Sequence, residues 1–94
     1  MIKIVAKNKI KNGMVNNFKK TAEELIIKSN KEKGCISYDL YVDINDSSVL
    51  TFLESWDDEE AIFNHNNSDH FKEIVPKLGE FVEEKEVRKY ILLK

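Results

Sequence analysis

Two histidines, His65 and His70, are the only imidazoles in this chain of 94 residues, and Asn66-Asn67-Ser68-Asp69 stands between them. An imidazole with an ordinary pKa of about 6.5 exchanges a proton at neutral pH, as general acid–base catalysis requires. His65 is the first candidate for that task; a helix-end histidine bonded to a neighbour is the competing reading. His70 stands where a following helix should begin, so it can face an anion, donate to a ligand, or simply bond the preceding turn. A spacing of five with an intervening turn matches no recognised metal-ligand signature, and no metal is expected.

Asn8 interrupts an apolar strand face, where a buried amide needs partners or a polar ligand. Its side-chain donor could hold a developing oxyanion; a strand-end amide near solvent is the alternative. Tyr38 and Trp56 offer flat surfaces with polar tips to an aromatic substrate, and ordinary core packing explains them too. Glu54 shares a strand face with Leu50 and Phe52, so burial would raise its pKa and let it carry a proton; a salt bridge or a subunit contact explains it as well. Cys35, the only cysteine, excludes an internal disulfide, fits a reducing compartment, and reads as a small apolar residue opening a strand more readily than as a nucleophile. No phosphate-cradling glycine loop or dinucleotide fingerprint occurs, so no flavin or nicotinamide is implied.

These residues need elements to hold them. Ile2, Ile4, Ala6, Asn8 and Ile10 alternate with Lys3, Val5, Lys7 and Lys9, which predicts a strand ending before the Asn12-Gly13 turn. Val15, Phe18, Ala22, Leu25, Ile26 and Ser29 recur at helical spacing, and Gly34 is placed to end that helix in a left-handed cap. Cys35 to Ile44 alternates again, with Ile36, Tyr38, Leu40, Val42 and Ile44 on one face and Cys35 on the other. Asn45-Asp46-Ser47 offers a turn into a third strand, roughly Val49 to Trp56, which is apolar on both faces. Asp57 and Glu60 have capping-box spacing for a short helix to His65. Ser68 can cap another, with a kink or restart expected at Pro76, and Glu86 to Leu93 reads as a buried closing strand.

Strand, helix, strand, strand, helical pair, strand, in one domain spanning residues 1–94, predicts an α+β, ferredoxin-like split βαβ fold with an antiparallel sheet. The helices would cover one face; a second copy of the chain packed on the other would make a homodimer. Charged residues make up 34% of the chain and net charge is −2, with the two signs interleaved, so neither a nucleic-acid nor a membrane partner is expected. The N-terminal segment carries no secretion-signal pattern, and a cytoplasmic location is expected.

The stretch from Glu54 to Phe71, with Glu54-Ser55-Trp56 at a strand end, Ala61-Ile62 on a helix, His65, and Ser68 leading into His70-Phe71, closely resembles the antibiotic biosynthesis monooxygenase family. Val5-Ala6 running into Asn12-Gly13, and Gly34-Cys35 followed by Tyr38, Leu40 and Tyr41, agree with it. The resemblance implies a dimeric α+β barrel with a pocket between sheet and helices; the candidates for that pocket are Trp56, His70, Tyr38, Glu54 and Phe71, with His65 and Asn8 as its working groups. Its heme-degrading members carry a first-strand Asn, a second-helix Trp and a ligating His ten residues on. Asn8 matches, but those other two positions hold His65 and Val75, so no heme is implied. The resemblance does not fix the reaction, since the family holds several; the leading reading is cofactor-independent oxidation of a small phenolic or hydroquinone substrate by O2. An isomerase of a small carbonyl or sugar-derived metabolite, and a small-molecule-binding module without turnover, stand as alternatives.

Overall fold

The alternation at the N-terminus forms β1 (Ile2–Ile10), and its apolar set, Ile4, Ala6, Asn8 and Ile10, is buried, as the pattern predicts. The computed structural model, which describes residues 1–94, continues through a turn at Gly13 into α1 (Val15–Asn30). Phe18, Ala22, Leu25 and Ser29 are the buried stripe of α1. β2 (Cys35–Asp43) and β3 (Asp46–Trp56) form a hairpin, followed by α2 (Glu59–Asn66), α3 (Asp69–Gly79) and β4 (Val82–Ile91). The sheet is antiparallel in the order β2-β3-β1-β4, the ferredoxin-like arrangement expected. Leu50, Phe52, Glu54 and Trp56 of β3 all point into the core beneath the helices. No helix is long and apolar enough to cross a membrane.

Several boundaries differ from the sequence expectation, each for a local reason. α1 ends at Asn30, whose side chain accepts from Tyr38 N at 3.1 Å and donates to Tyr38 O at 2.7 Å, tying the helix end to β2. Gly34 does have positive φ, at 85°, but as the last residue of the loop rather than as the cap. The register shifts between Cys35 and Ser37, so Cys35 packs toward the core beside Trp56 while Ile36 is turned out. The turn into β3 is tighter than Asn45-Asp46-Ser47, because Asp46 accepts from Ser48 N and from Lys9 Nζ of β1, each at 3.0 Å, and already belongs to the sheet.

The cap of α2 is Asp58, which accepts from Ala61 N at 2.9 Å; Asp57 instead donates its N–H to Gly34 O at 2.8 Å. α3 runs through Pro76 to Gly79 without a restart, since Ile74 and Leu78, on either side of it, are both anchored in the core. The closing strand is the largest departure. β4 begins earlier, at Val82, and is exposed along nearly its whole length, because it is an edge strand whose principal neighbour is β1 alone.

Gly34 is required twice over. Its φ of +85° is disfavoured for any L side chain, and a Cβ there would lie 2.6 Å from the Cβ of Ala61 on α2. Gly13, with φ +79°, has open space around it. Gly34→Ala is therefore expected to destabilise the fold by about 2–4 kcal/mol and Gly13→Ala by only about 1 kcal/mol, read as the difference between their urea unfolding midpoints.

Candidate functional site

Between the sheet and the helices lies a mostly apolar cavity of about 460 Å³. β1 contributes Asn8 to its wall, β2 Tyr38, and β3 Glu54; His65 comes from α2 and Phe71 from α3. β4, uncovered by helices, supplies Lys85, Val87 and Lys89 at its flank. These three are paired with Asn8, Ala6 and Ile4 of β1, so they fall on the cavity side of the sheet.

His65 is buried, with only 3% of its surface exposed. Its Nδ1 lies 2.6 Å from Oε2 of Glu32, in the loop that joins α1 to β2. A carboxylate only accepts, so the proton sits on Nδ1 and Nε2 carries the lone pair. Nε2 has no protein partner and is not sealed off, so it opens onto the cavity that the ring lines. Burial pushes the imidazole below its ordinary pKa of 6.5, and the bond and charge of Glu32 oppose that. The ring is held in place by aromatic neighbours: Trp56 at 4.6 Å between centroids, Phe71 at 5.0 Å and Tyr38 at 5.3 Å. A carboxylate, an oriented imidazole and a free Nε2 facing an apolar chamber are the parts of a general base.

Glu54 has the opposite bias. Burial raises its carboxyl from 4.5 to about 7, although a hydrogen bond donated by Trp56 Nε1 at 2.9 Å and the charge of Lys85 both pull it down. It thus titrates near neutrality on the cavity wall, as its strand-face position predicts. Trp56 is fully buried and does not line the cavity; it holds Glu54 from behind. Asn8 does line it, but its Nδ2 donates to Ala6 O at 3.1 Å and to Leu50 O at 3.2 Å. Both amide hydrogens are committed, so the expected oxyanion donor is not free, and Asn8 offers the cavity its Oδ1 acceptor.

His70 stands behind His65, outside the cavity lining, with ring centroids 6.1 Å apart. The turn between the helices brings the two histidines together instead of dividing them: Ser68 Oγ accepts from Phe71 N and donates to His65 O, folding α3 back on α2. Nε2 of His70 is 3.3 Å from Glu32 Oε2, yet it is misaligned for a hydrogen bond and sealed from solvent without a partner. An unmet buried nitrogen of this kind costs about 1–3 kcal/mol. Burial raises the Cys35 thiol to about 11, so it stays protonated at neutral pH and is no nucleophile.

Glu32 and Lys85 are the participants that sequence reasoning did not find. Glu32 sits in Lys31-Glu32-Lys33, which reads as a solvated loop, and Lys85 in a strongly charged edge strand. Neither carries a local signal; only pairing across the fold reveals them.

The family model described as antibiotic biosynthesis monooxygenase matches residues 1–77. The chain belongs to that family. A Bacillus subtilis (strain 168) protein named "Putative monooxygenase YcnE" is 34% identical over 77 residues, covering 82% of this chain and 81% of that one. The crystal structure of a conserved protein from Methanosarcina mazei Go1 has 42% identity and a TM-score of 0.92, over 95% of this chain and 89% of that one. A crystallised protein described as an antibiotic biosynthesis monooxygenase has 28% identity and a TM-score of 0.93, with both chains fully covered.

The raised carboxyl of Glu54 has a measurable consequence for stability. A carboxyl whose pKa is higher in the fold than in the unfolded chain contributes most below about 4.5, and that contribution is lost as pH rises through about 7. Between those limits the wild type is expected to lose up to about 3 kcal/mol through this group. Glu54→Gln should flatten that part of the profile, and urea unfolding at a series of pH values, wild type against variant, measures the difference.

Proposed function

We propose that this member of the family is a cofactor-independent monooxygenase that oxidises a small phenol or hydroquinone with O2. The observation that carries the reading is the buried His65, oriented by Glu32 and presenting Nε2 to an apolar chamber of about 460 Å³. That volume is in the range of small-ligand pockets, and its flat walls, Tyr38 and Phe71, suit an aromatic ring. Family membership, and the monooxygenase names carried by two of the relatives, support the same reading.

In this scheme Nε2 of His65 takes the proton of a substrate hydroxyl, and a second hydroxyl donates to Oδ1 of Asn8. Desolvation raises the electron-donating power of the resulting anion, while Lys85 at the flank holds its charge. The anion passes one electron to O2, and the radical pair joins at a ring carbon as a hydroperoxide. Loss of water from the hydroperoxide leaves a new carbonyl. A hydroquinone and one molecule of O2 thus give a hydroxyquinone and one molecule of water. Two hydrogens of the hydroquinone leave with one oxygen atom, and the other oxygen atom stays in the product. Glu54, near half-ionised at neutral pH, can return a proton to the departing hydroxide.

The reading includes a second copy of the chain. On the sheet face away from the helices, Leu53 is 39%, Tyr41 53% and Tyr90 51% exposed in one subunit, an apolar area that a twofold partner would cover. Sedimentation at micromolar concentration is expected to return a dimer; a clean monomer would remove the barrel from the scheme.

Oxygen uptake and product formation with a panel of hydroquinones and polycyclic phenols test the chemistry. Turnover is expected to need O2 and to fall by about 10²–10⁴-fold in His65→Ala. Because the base works deprotonated and its pKa is lowered, kcat/KM should rise with pH along a limb centred below 6.5. Wild-type rates in His65→Ala would sink the mechanism. Conversion without oxygen would make the protein an isomerase, and saturable binding without product would make it a binding module.

A further inference from the structure

The contacts of His65 and Glu32 leave one group unexplained: the sealed, unpartnered Nε2 of His70. It belongs to a cluster. One ligating atom each from Glu32, His65 and His70 lie within 4.8 Å of one another, His65 Nδ1 at 2.6 Å and His70 Nε2 at 3.3 Å from the same carboxylate oxygen. We propose that Glu32, His65 and His70 form a zinc site on the side of His65 that faces away from the cavity.

Two imidazoles and a carboxylate are a zinc donor set, with a water completing a tetrahedron. At metal–ligand distances of about 2.0–2.1 Å, tetrahedral donors stand about 3.4 Å apart. His70 Nε2 already has that separation from Glu32 Oε2. His65 Nδ1 must exchange its hydrogen bond for a metal bond and open by about 0.8 Å, within reach of a small turn of the Glu32 side chain on its loop. The three donors come from separate segments that the fold has already locked: Asn30 pins the loop carrying Glu32 to β2, and Ser68 pins the start of α3, with His70, to the end of α2. The donor set is thus preorganised, and the metal would supply the partner that His70 lacks.

Neither Glu32 nor His70 lines the cavity, so zinc would bind beside the substrate chamber and not in it. Zinc on Nδ1 displaces the proton held there, which leaves an N–H on Nε2 when the ring is neutral. The cavity then meets a donor where it had met an acceptor, so occupancy would switch off the base. That consequence rests on the reading of His65 as the base; capture of the ion does not.

The test uses the full chain after chelator treatment, with Co2+ as a visible probe and Zn2+ as competitor. One equivalent of Co2+ is expected to give the ligand-field absorption of a tetrahedral nitrogen and oxygen site, and one equivalent of Zn2+ to abolish it. His70→Gln should weaken Zn2+ by at least about 100-fold, the upper end of what disturbing an outer-shell partner costs. Glu32→Gln should do the same. Circular dichroism shows whether each variant keeps its fold; if Glu32→Gln does not, His70→Gln decides alone, since its Nε2 makes no hydrogen bond that the fold depends on. Absence of the Co2+ bands in the wild type, or wild-type Zn2+ affinity in a folded His70→Gln, would overturn the site whether or not the protein turns over any phenol.

Discussion

A buried imidazole must have at least one ring nitrogen met, and the residue that meets His65 arrives from a loop 33 positions earlier in the chain. Much of the site's geometry follows from that single contact. It fixes the tautomer, because a carboxylate cannot donate, and the tautomer fixes which nitrogen the cavity sees. It also requires the α1–β2 loop to lie against α2. That approach is so close that only a glycine fits at position 34, where any Cβ would collide with Ala61. The Asn30 side chain, bonded both ways to the backbone of Tyr38, keeps the loop from drifting away.

The chemistry of the cavity is set by a second asymmetry, that of the sheet. Helices pack on β2 and β3, while β4 lies exposed at the edge, so the chamber is apolar and buried on one side and charged on the other. Glu54 is buried on the apolar side, and that burial raises it to about 7. Lys85 belongs to the charged side, where a substrate anion would find its counter-charge, whereas Lys89 is already paired with Glu59 at 2.9 Å. Two acid–base groups with opposite shifts, an imidazole pushed down and a carboxyl pushed up, therefore face one chamber, and environment alone separates their roles.

Most of the frame was legible from alternation and spacing. The buried set of β1, the stripe Phe18, Ala22, Leu25 and Ser29, and the inward face Leu50, Phe52, Glu54 and Trp56 follow from periods of 2 and 3.6 in a chain with one face of each element to bury. Where the structure departs from the pattern, a side-chain bond overrules it: Asn30 ends α1 early, Asp46 tightens the hairpin, and Asp58 takes the cap from Asp57. A register shift after Cys35 reversed which face that residue took. Apolar content made β4 look buried, whereas its burial depends on what lies beyond it, and within one subunit that is solvent.

The local sequence by itself determined the elements, their order and the candidate groups Asn8, Tyr38, Glu54, Trp56, His65, His70 and Phe71, because periodicity and residue chemistry are properties of neighbours along the chain. Tertiary structure alone decided what those groups do. It spent the hydrogens of Asn8 on two carbonyls, placed Trp56 behind Glu54, and brought an unremarked Glu32 to the histidines. Protonation, tautomer and free lone pairs depend on burial and on partners a few ångströms away in space, and those partners are set by how the elements pack and not by their separation in sequence.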